Sequence, residues 1–355
     1  MAQDSTGIAA SLGVPIQGWT PRSAIWQHIS RFARRKPLGA FGAVIALILI
    51  VVAIFAPFIA THDPAETNAA LVYAPPGSQL LLGGDQLGRD VFSRLVYGAR
   101  VSLYAGLLSA FIGASIGMVV GVASVHFGGK TDLIAQRIID TMMAFPPLIL
   151  AIAIMAALGA SLNNVVIALS VAYIPSAARV LRSQALAIKE MDYILAARAI
   201  GASHGRIIFR CMIPNCLALY IVLVTVFLGT AIVAEATLSF LGIGVPPDVS
   251  SWGGMLNGAA QTYVHLAPWL GVFPGLAIAI VVFAWNLLGC SARRAGPPAQ
   301  GNLVKPCPLT EAVTTQPGPS GARGVPNRTL VRAANYTMTS PFHRRRRLHG
   351  YAAGG

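Results

Sequence analysis

The feature that most restricts how this chain can fold is the repeated occurrence of long apolar runs without charge. One of them, residues 141–178, spans 38 residues and contains no charged side chain. About 20 apolar residues suffice to cross a hydrocarbon core roughly 30 Å thick. Hydrophobic residues make up 55% of the chain and charged residues 11%, whereas soluble domains carry about 25% charged residues. Runs of this length predict an all-α, polytopic membrane protein.

About six transmembrane helices are predicted from the positions of these runs. They lie at 38–60, at 101–125, twice within 141–178 on either side of a turn at 159–164, at 217–238 and at 269–289. The chain thereby divides into an N-terminal segment at 1–37, a membrane domain at 38–289 and a basic tail at 290–355. Within the membrane domain, residues 61–100 are predicted to form an outer loop and residues 183–215 a cytoplasmic loop.

The distribution of Lys and Arg predicts which side of the membrane each loop occupies, because basic residues in short loops stay in the cytoplasm. With the N-terminus inside, the cytoplasmic segments up to residue 214 hold thirteen Lys and Arg residues, and the outer loops hold three. Both termini are therefore predicted to be cytoplasmic. The inverted topology is the alternative.

Small residues recur at every fourth position of the second predicted helix. They are Ser109, Gly113, Gly117 and Gly121. This spacing places all four on one helical face, where a second helix can approach closely in lipid. The approaching helix belongs either to this chain or to a partner subunit.

Two acidic residues lie at or within the predicted helices. Asp140 is expected at the cytoplasmic edge, where it would pair with Arg137 on the surface. Glu235 lies inside a helix, and a charged side chain at the bilayer centre costs on the order of 2.5 to 3.5 kcal/mol. Glu235 is therefore expected to face the bundle interior or water. It lines the pathway or its gate, makes a structural hydrogen bond between helices, or lies near the outer interface.

The cytoplasmic loop contains a helical pattern at 183–201 that ends at Gly201, a residue well suited to a helix C-cap. A second short helix is predicted at 203–214. Ala196 and Ala197 are expected to form one patch, small enough for close docking against another protein. The residues alone are equally compatible with an amphipathic helix pair that merely rests at the membrane surface.

The same loop resembles a known family. Its stretches DYILAARAIGAS at 192–203 and IIFRCMIPN at 207–215 look like the EAA loop of ABC-importer permeases. Three further stretches are similar to the second, C-type, permease of the dipeptide/oligopeptide/nickel permease family. They are LGGDQLGRDVFSRLVYGAR at 82–100, TLSFLGIGVPP at 237–247 and SWGGM at 251–255. The similarity covers roughly residues 34–289.

The resemblance implies the fold of an ABC type I importer permease, in which the EAA helix packs into a cleft of a cytoplasmic ATPase. The residues that receive the coupling role by this resemblance are Asp192, Leu195, Ala196, Ala197, Gly201 and Pro214. Two positions depart from the family pattern, since its usual glutamate falls on Leu195 and its frequent histidine on Cys211. Loss of the glutamate removes a charged contact or a capping interaction.

The resemblance also implies the partners of the chain. These are a homologous second permease subunit, two cytoplasmic ATPase subunits and an extracytoplasmic solute-binding protein. Di- or oligopeptides are the implied substrates, with nickel or another small solute as the alternative. No catalytic residue, metal site or cofactor is predicted, so ATP hydrolysis is expected in the partner subunits. An autonomous channel or secondary transporter is the competing class, but the two acids at or within the spans have no convincing partners for a charge relay.

The outer loop at 61–100 mixes acidic and basic residues, among them Asp85, Arg89, Asp90 and Arg94. It is either a seat for the solute-binding protein, as the family suggests, or a solvated connection. Trp252 predicts a re-entrant or interfacial segment near the outer mouth.

The tail at 290–355 carries ten Lys and Arg residues against one acid, which gives it most of the net charge of +14. It is rich in Pro, Gly, Ser and Thr, lacks apolar periodicity and departs from the family, so disorder is predicted. The tail is either the product of a shifted reading frame or a segment that binds anionic membrane lipid. Nucleic-acid binding is not predicted, because no folded domain carries a basic stripe.

Overall fold

The structure, a computed structural model, describes residues 37–262 and 267–293. The predictions for residues 1–36 and for the tail beyond residue 293 fall outside the described residues. Within the described part the chain is helical and contains no β-strand, only an isolated bridge between Gly84 and Asp90. The predicted all-α class is therefore confirmed. The helices are α1 Pro37–Ile54, α2 Ala56–Ile59, α3 Val91–Phe127, α4 Gly129–Met143, α5 Pro147–Leu158, α6 Leu162–Lys189, α7 Asp192–Ala199, α8 His204–Phe240, α9 Trp252–Thr262 and α10 Trp269–Arg293.

Five of these helices are long and apolar enough to cross a membrane, namely α1, α3, α6, α8 and α10. The pair α4 and α5 passes the same test together but is bent by 86° at its break, so it gives a sixth crossing if it counts as one span. This agrees with the prediction of about six. The bend falls at Pro146 and Pro147, where α5 begins, because a proline in a helix interior lacks a donor and clashes with the preceding turn.

The second membrane helix is longer than predicted. α3 begins at Val91 rather than at residue 101, and its 37 residues extend for about 55 Å. Asp90 caps its first turn, since the carboxylate accepts hydrogen bonds from the backbone N–H groups of Phe92 and Ser93. The buried Arg94 lies in the same first turn, 3.7 Å from the carboxylate of Asp85. The hydropathy of the sequence placed the start of this helix too late, because hydropathy counts Arg94 as a full charge and does not include its neutralisation by Asp85.

The fifth membrane helix also begins earlier than predicted. The separate short helix expected at 203–214 and the span expected at 217–238 form one helical segment, α8, which starts at His204. Its residues Ile207–Met212 form a π-helix, and the N–H of Ile213 donates to the carbonyl of Ile208, five residues back. This wider turn directly precedes Pro214. The segment therefore continues through a proline that was expected to end it.

The small-residue face of α3 packs against α6 of the same chain. A Cβ atom on Gly117 would lie 2.5 Å from the Cβ of Ala177, and one on Gly121 would lie 2.5 Å from the carbonyl oxygen of Ala178. A Cβ on Gly113 would lie 2.8 Å from the carbonyl oxygen of Ser170. The two backbones thus approach as closely as glycine permits. The helix that approaches this face therefore belongs to the same chain, which was one of the two alternatives.

Candidate functional site

The short helix α7 lies between the membrane helices α6 and α8 and carries the residues of the EAA-like stretch. Met191 adopts an extended conformation just before it and ends the continuous path from α6. Asp192 occupies the first turn and Arg198 the last. This order favours the helix, because an acid near the N-terminus and a base near the C-terminus oppose the macrodipole.

The C-terminus of α7 is closed by Gly201, as the sequence predicts. Gly201 has φ = +76°, its N–H donates to the carbonyl of Arg198 and the N–H of Ala202 donates to the carbonyl of Ala197. These two bonds form a Schellman motif, in which a left-handed residue satisfies the last helical carbonyls. The turn therefore requires a residue that tolerates positive φ.

The two alanines of the expected docking patch face different directions, which corrects the prediction of a single patch. Ala197 is fully buried, together with Ile194 one turn earlier, and both belong to the core of the chain. Ala196 is exposed. We define the α7 surface by its exposed residues, which are Asp192, Leu195, Ala196, Arg198, Ala199 and Ile200.

Large apolar side chains contribute to the α7 surface. Leu195 is 50% exposed and Ile200 is 52% exposed. Leu195 is the position at which the family usually has glutamate, so this chain has an exposed apolar side chain there. Exposed apolar side chains clustered on one short helix are typical of a surface that another protein covers.

A side-chain hydrogen bond ties α7 to α8. The amide of Asn215 donates to the phenol oxygen of Tyr193 at 3.1 Å and to the carbonyl of Cys211 at 2.7 Å. Burial, assisted by the neighbouring Cys216, raises the pKa of Tyr193 to about 12. The phenol therefore remains protonated at neutral pH. Sequence analysis missed Asn215, although it stands beside Pro214 in the family-like stretch.

Two further contacts join the ends of three membrane helices near α7. The ammonium group of Lys189, the last residue of α6, donates to the carbonyl of Val125 in α3 at 2.7 Å. The rings of His126 in α3 and His204 at the start of α8 are hydrogen-bonded, with Nε2 and Nδ1 2.9 Å apart. These two bonds join α3 to α6 and to α8, and the Tyr193–Asn215 bond joins α7 to α8.

Ion pairs attach the amphipathic helix α4 to α6. Asp132 accepts from the guanidinium group of Arg182 at 2.6 and 2.9 Å. Asp140 pairs with Arg179 of α6, so the predicted pair with Arg137 is wrong. The bend between α4 and α5 sets the direction of α4 and so brings Asp140 to α6. Nearness in sequence, which favoured Arg137, could not indicate this partner.

Glu235 is fully buried in α8 and faces α3. Its carboxylate accepts hydrogen bonds from the hydroxyl of Ser102 in α3 at 3.1 Å and from the hydroxyl of Ser239, one turn along α8, at 2.9 Å. The bond from Ser102 joins α3 to α8, so Glu235 makes the hydrogen bond between helices that was one of the roles considered for it. A part in gating stays a prediction.

The outer loop is a folded structure whose central charges are internal. Asp85 accepts from the side chain of Arg89 at 2.7 Å and from the backbone N–H groups of Leu87 and Arg89. Burial acts to raise the pKa of Asp90, but hydrogen bonds from Ser93, from Thr61 and from backbone N–H groups outweigh it, so the pKa lies below its usual value. These residues hold the loop together and are not available to seat another protein.

Trp252 is a core residue, and the re-entrant or interfacial segment expected around it stays a prediction. Its side chain is almost fully buried, and its indole N–H donates to the carbonyl of Leu95 in α3 at 2.9 Å. A Cβ on Gly98 would lie 2.6 Å from the indole ring. The ring therefore fastens α9 to the N-terminal part of α3.

The described part of the chain is thus a helical membrane domain in which a short, partly exposed helix is hydrogen-bonded to a membrane helix, an arrangement compatible with a transporter permease. Residues 113–295 match the family described as binding-protein-dependent transport system inner membrane component. Residues 25–76 match the N-terminal TM domain of oligopeptide transport permease C. The chain belongs to the family of binding-protein-dependent transport system inner membrane components, and the second match identifies it as the C-type subunit predicted from its motifs.

Several relatives align over most of their length. A putative peptide transport system permease protein of Brucella suis biovar 1 is 44% identical over 263 residues, which cover 74% of this chain and 88% of the relative. A dipeptide transport system permease protein of Alkalihalophilus pseudofirmus is 38% identical, over 76% of this chain and 88% of the relative. A glutathione transport system permease protein of Escherichia coli O1:K1 is 41% identical, over 81% and 93% respectively.

Proposed function

We propose that this chain is the membrane-spanning permease subunit of an ABC importer for di- or oligopeptides. The observation that carries the proposal is α7, a short helix with an exposed apolar surface that is bonded into the membrane domain. The names of the similar proteins support the substrate class, since they refer to peptides, dipeptides and glutathione. Nickel is not favoured, because none of these names refers to a metal.

The proposed partners are those subunits that hydrolyse ATP, deliver the peptide and complete the membrane pathway in such a transporter. Two ATPase subunits bind the α7 surface and its counterpart on a homologous second permease, and a solute-binding protein delivers peptide from outside. ATP hydrolysis resides in the ATPase subunits, and this chain converts their movement into a change of the membrane helices. Asp63, Glu66 and Arg100 are exposed charged residues of the outer loop that could contact the binding protein.

Copurification and uptake test this function together. Solubilised from its native membrane, the tagged chain is expected to bring down one homologous permease and two ATPase subunits. Cells that lack the chain are expected to lose uptake of a labelled dipeptide or tripeptide and to regain it with the gene. Peptide uptake by the purified chain alone in liposomes would contradict the proposal, and so would ATP hydrolysis by the chain alone.

We further propose that the chain lies in the bacterial cytoplasmic membrane with both termini and α7 on the cytoplasmic side. Cysteines introduced at two exposed positions, Glu66→Cys and Arg206→Cys, test this orientation against a membrane-impermeant maleimide. In intact spheroplasts Glu66→Cys is expected to react and Arg206→Cys to react only after permeabilisation. The unaltered chain serves as the control for its natural cysteines. The reverse labelling pattern would establish the inverted topology.

A further inference from the structure

The buried carboxylate of Glu235 belongs to a chain of hydrogen bonds that ends outside α8. Ser239 donates its hydroxyl to Glu235 at 2.9 Å, and the same hydroxyl oxygen accepts the backbone N–H of Val245 at 3.2 Å. Ser102 of α3 donates to the other carboxylate oxygen. We call these four residues, Ser102, Glu235, Ser239 and Val245, the outer latch.

The segment that the latch holds, residues 241–251, connects α8 to α9. It turns at Gly242, which has φ = +79°, and the N–H of Ile243 donates back to the carbonyl of Leu238. A Cβ on Gly244 would lie 2.5 Å from both the backbone nitrogen and the hydroxyl oxygen of Ser239. The segment thus lies directly against Ser239, with no room for a side chain between them.

The far end of this segment is also fastened to α8 and α3. A Cβ on Gly253 would lie 2.2 Å from the carbonyl oxygen of Ala236, so α9 starts in backbone contact with α8. Trp252 adds its hydrogen bond to α3. Residues 241–253 are therefore held to α8 along their length and to α3 through Trp252.

Burying the carboxylate of Glu235 costs free energy that a purely structural role does not require. It is fully buried, and within the described residues no basic side chain forms an ion pair with it. An apolar residue at such a position generally packs at no cost in stability, whereas a buried carboxylate costs free energy unless its hydrogen bonds are satisfied. Its presence is better explained by the geometry that it imposes on Ser239 than by the stability of the bundle.

The latch lies at the opposite end of α8 from the α7 surface. α8 runs from His204, beside α7, to Glu235 over roughly 45 Å at 1.5 Å per residue. We propose that Glu235 is a positioning residue: it orients Ser239 so that segment 241–251 moves with α8 and the outer mouth follows the ATP-driven movement of α7. This inference rests on the proposed function.

The test measures how many peptides are moved per ATP hydrolysed by the complete transporter in liposomes, with its binding protein. Ser239→Ala removes the acceptor for Val245 and one donor for Glu235. We expect peptide transport to fall at least tenfold while ATP hydrolysis stays within about twofold of the parent value. Glu235→Gln, which keeps one acceptor oxygen, is expected to lower the number of peptides moved per ATP by a smaller factor.

A matched control and a direct measure of movement accompany these variants. Ser109→Ala removes another buried hydroxyl, one bonded to the carbonyls of Ala105 and Gly106 in its own helix, and should leave the ratio unchanged. A fluorophore on Asp248→Cys, exposed in the segment, is expected to report ATP-dependent movement in the otherwise unaltered complex and a smaller movement with Ser239→Ala.

An unchanged ratio of peptide to ATP overturns the inference, whether both rates remain normal or both fall together. If Ser239→Ala prevents assembly, Glu235→Gln is judged by the same criterion. A parent complex that moves no peptide contradicts the proposed function itself, so the two failures are distinguishable.

Discussion

Replacing Gly201 with valine is expected to abolish peptide uptake while the permease remains in the membrane at its normal amount. Gly201 has φ = +76°, a conformation that costs an L-residue about 1–2 kcal/mol and a β-branched one more. The strained residue would break the bonds that close α7, and the α7 surface would lose its shape. A Cβ at this position meets no atom within 4 Å, so the membrane domain should fold normally. Uptake and peptide-stimulated ATP hydrolysis of the assembled complex measure the effect.

Two other substitutions separate backbone conformation from side-chain size at this turn. Gly201→Asn should retain most of the uptake, because asparagine tolerates the left-handed region. Gly205→Ala, four residues later in an ordinary helical conformation with open space around it, should be neutral. Peptide-stimulated ATP hydrolysis that is unchanged in the Gly201→Val complex would show that the turn has no part in coupling.

Replacing Gly117 with valine is expected to remove most of the folded protein from the membrane. The new Cβ would lie 2.5 Å from the Cβ of Ala177 and 2.9 Å from the backbone nitrogen of Ala178. Since backbone atoms cannot rotate away, α3 and α6 would have to separate. Overpacking of this kind costs about 1–3 kcal/mol, and here the loss of further close contacts along the helix adds to it. Immunoblots of membranes and the thermal unfolding midpoint of the purified chain measure the loss.

Gly229 is the matched control for this prediction. It also lies in a membrane helix, but a Cβ there would be 3.5 Å from its nearest neighbour, the Cβ of Trp285, which is an ordinary contact. Gly229→Ala should leave the amount of protein and its unfolding midpoint unchanged. A Gly117→Val protein that accumulates and unfolds like the parent would mean that α3 and α6 do not pack in this way.

The accuracy of the sequence predictions varied with the range of the interaction that determined each feature. The turn at Gly159 and the cap at Gly201 depend on a glycine within a few residues, and both were found where predicted. The start of α3 depends on Asp85 and Asp90 outside the helix, and it was misplaced. The partner of Asp140 depends on the bend before α5, and a neighbouring arginine was chosen instead of Arg179.

For the candidate site, motif similarity indicated the right segment but not its faces. Ala196 and Ala197 are adjacent in the EAA-like stretch, yet only the packing of Ile194 and Ala197 into the core shows which alanine is exposed. Asn215 and Tyr193 lie 22 residues apart. Their hydrogen bond appears only once α8 folds back beside α7.

Hydrophobic length, local backbone preference and motifs are visible in a linear chain. They were enough to predict a helical membrane protein, a permease of this family and the end of α7 at Gly201. The members of the outer latch and the exposed face of α7 could be found only in the folded chain. Hydrogen bonds and close packing join residues that the crossing of helices brings together, and the sequence of one helix does not give the angle at which another helix crosses it.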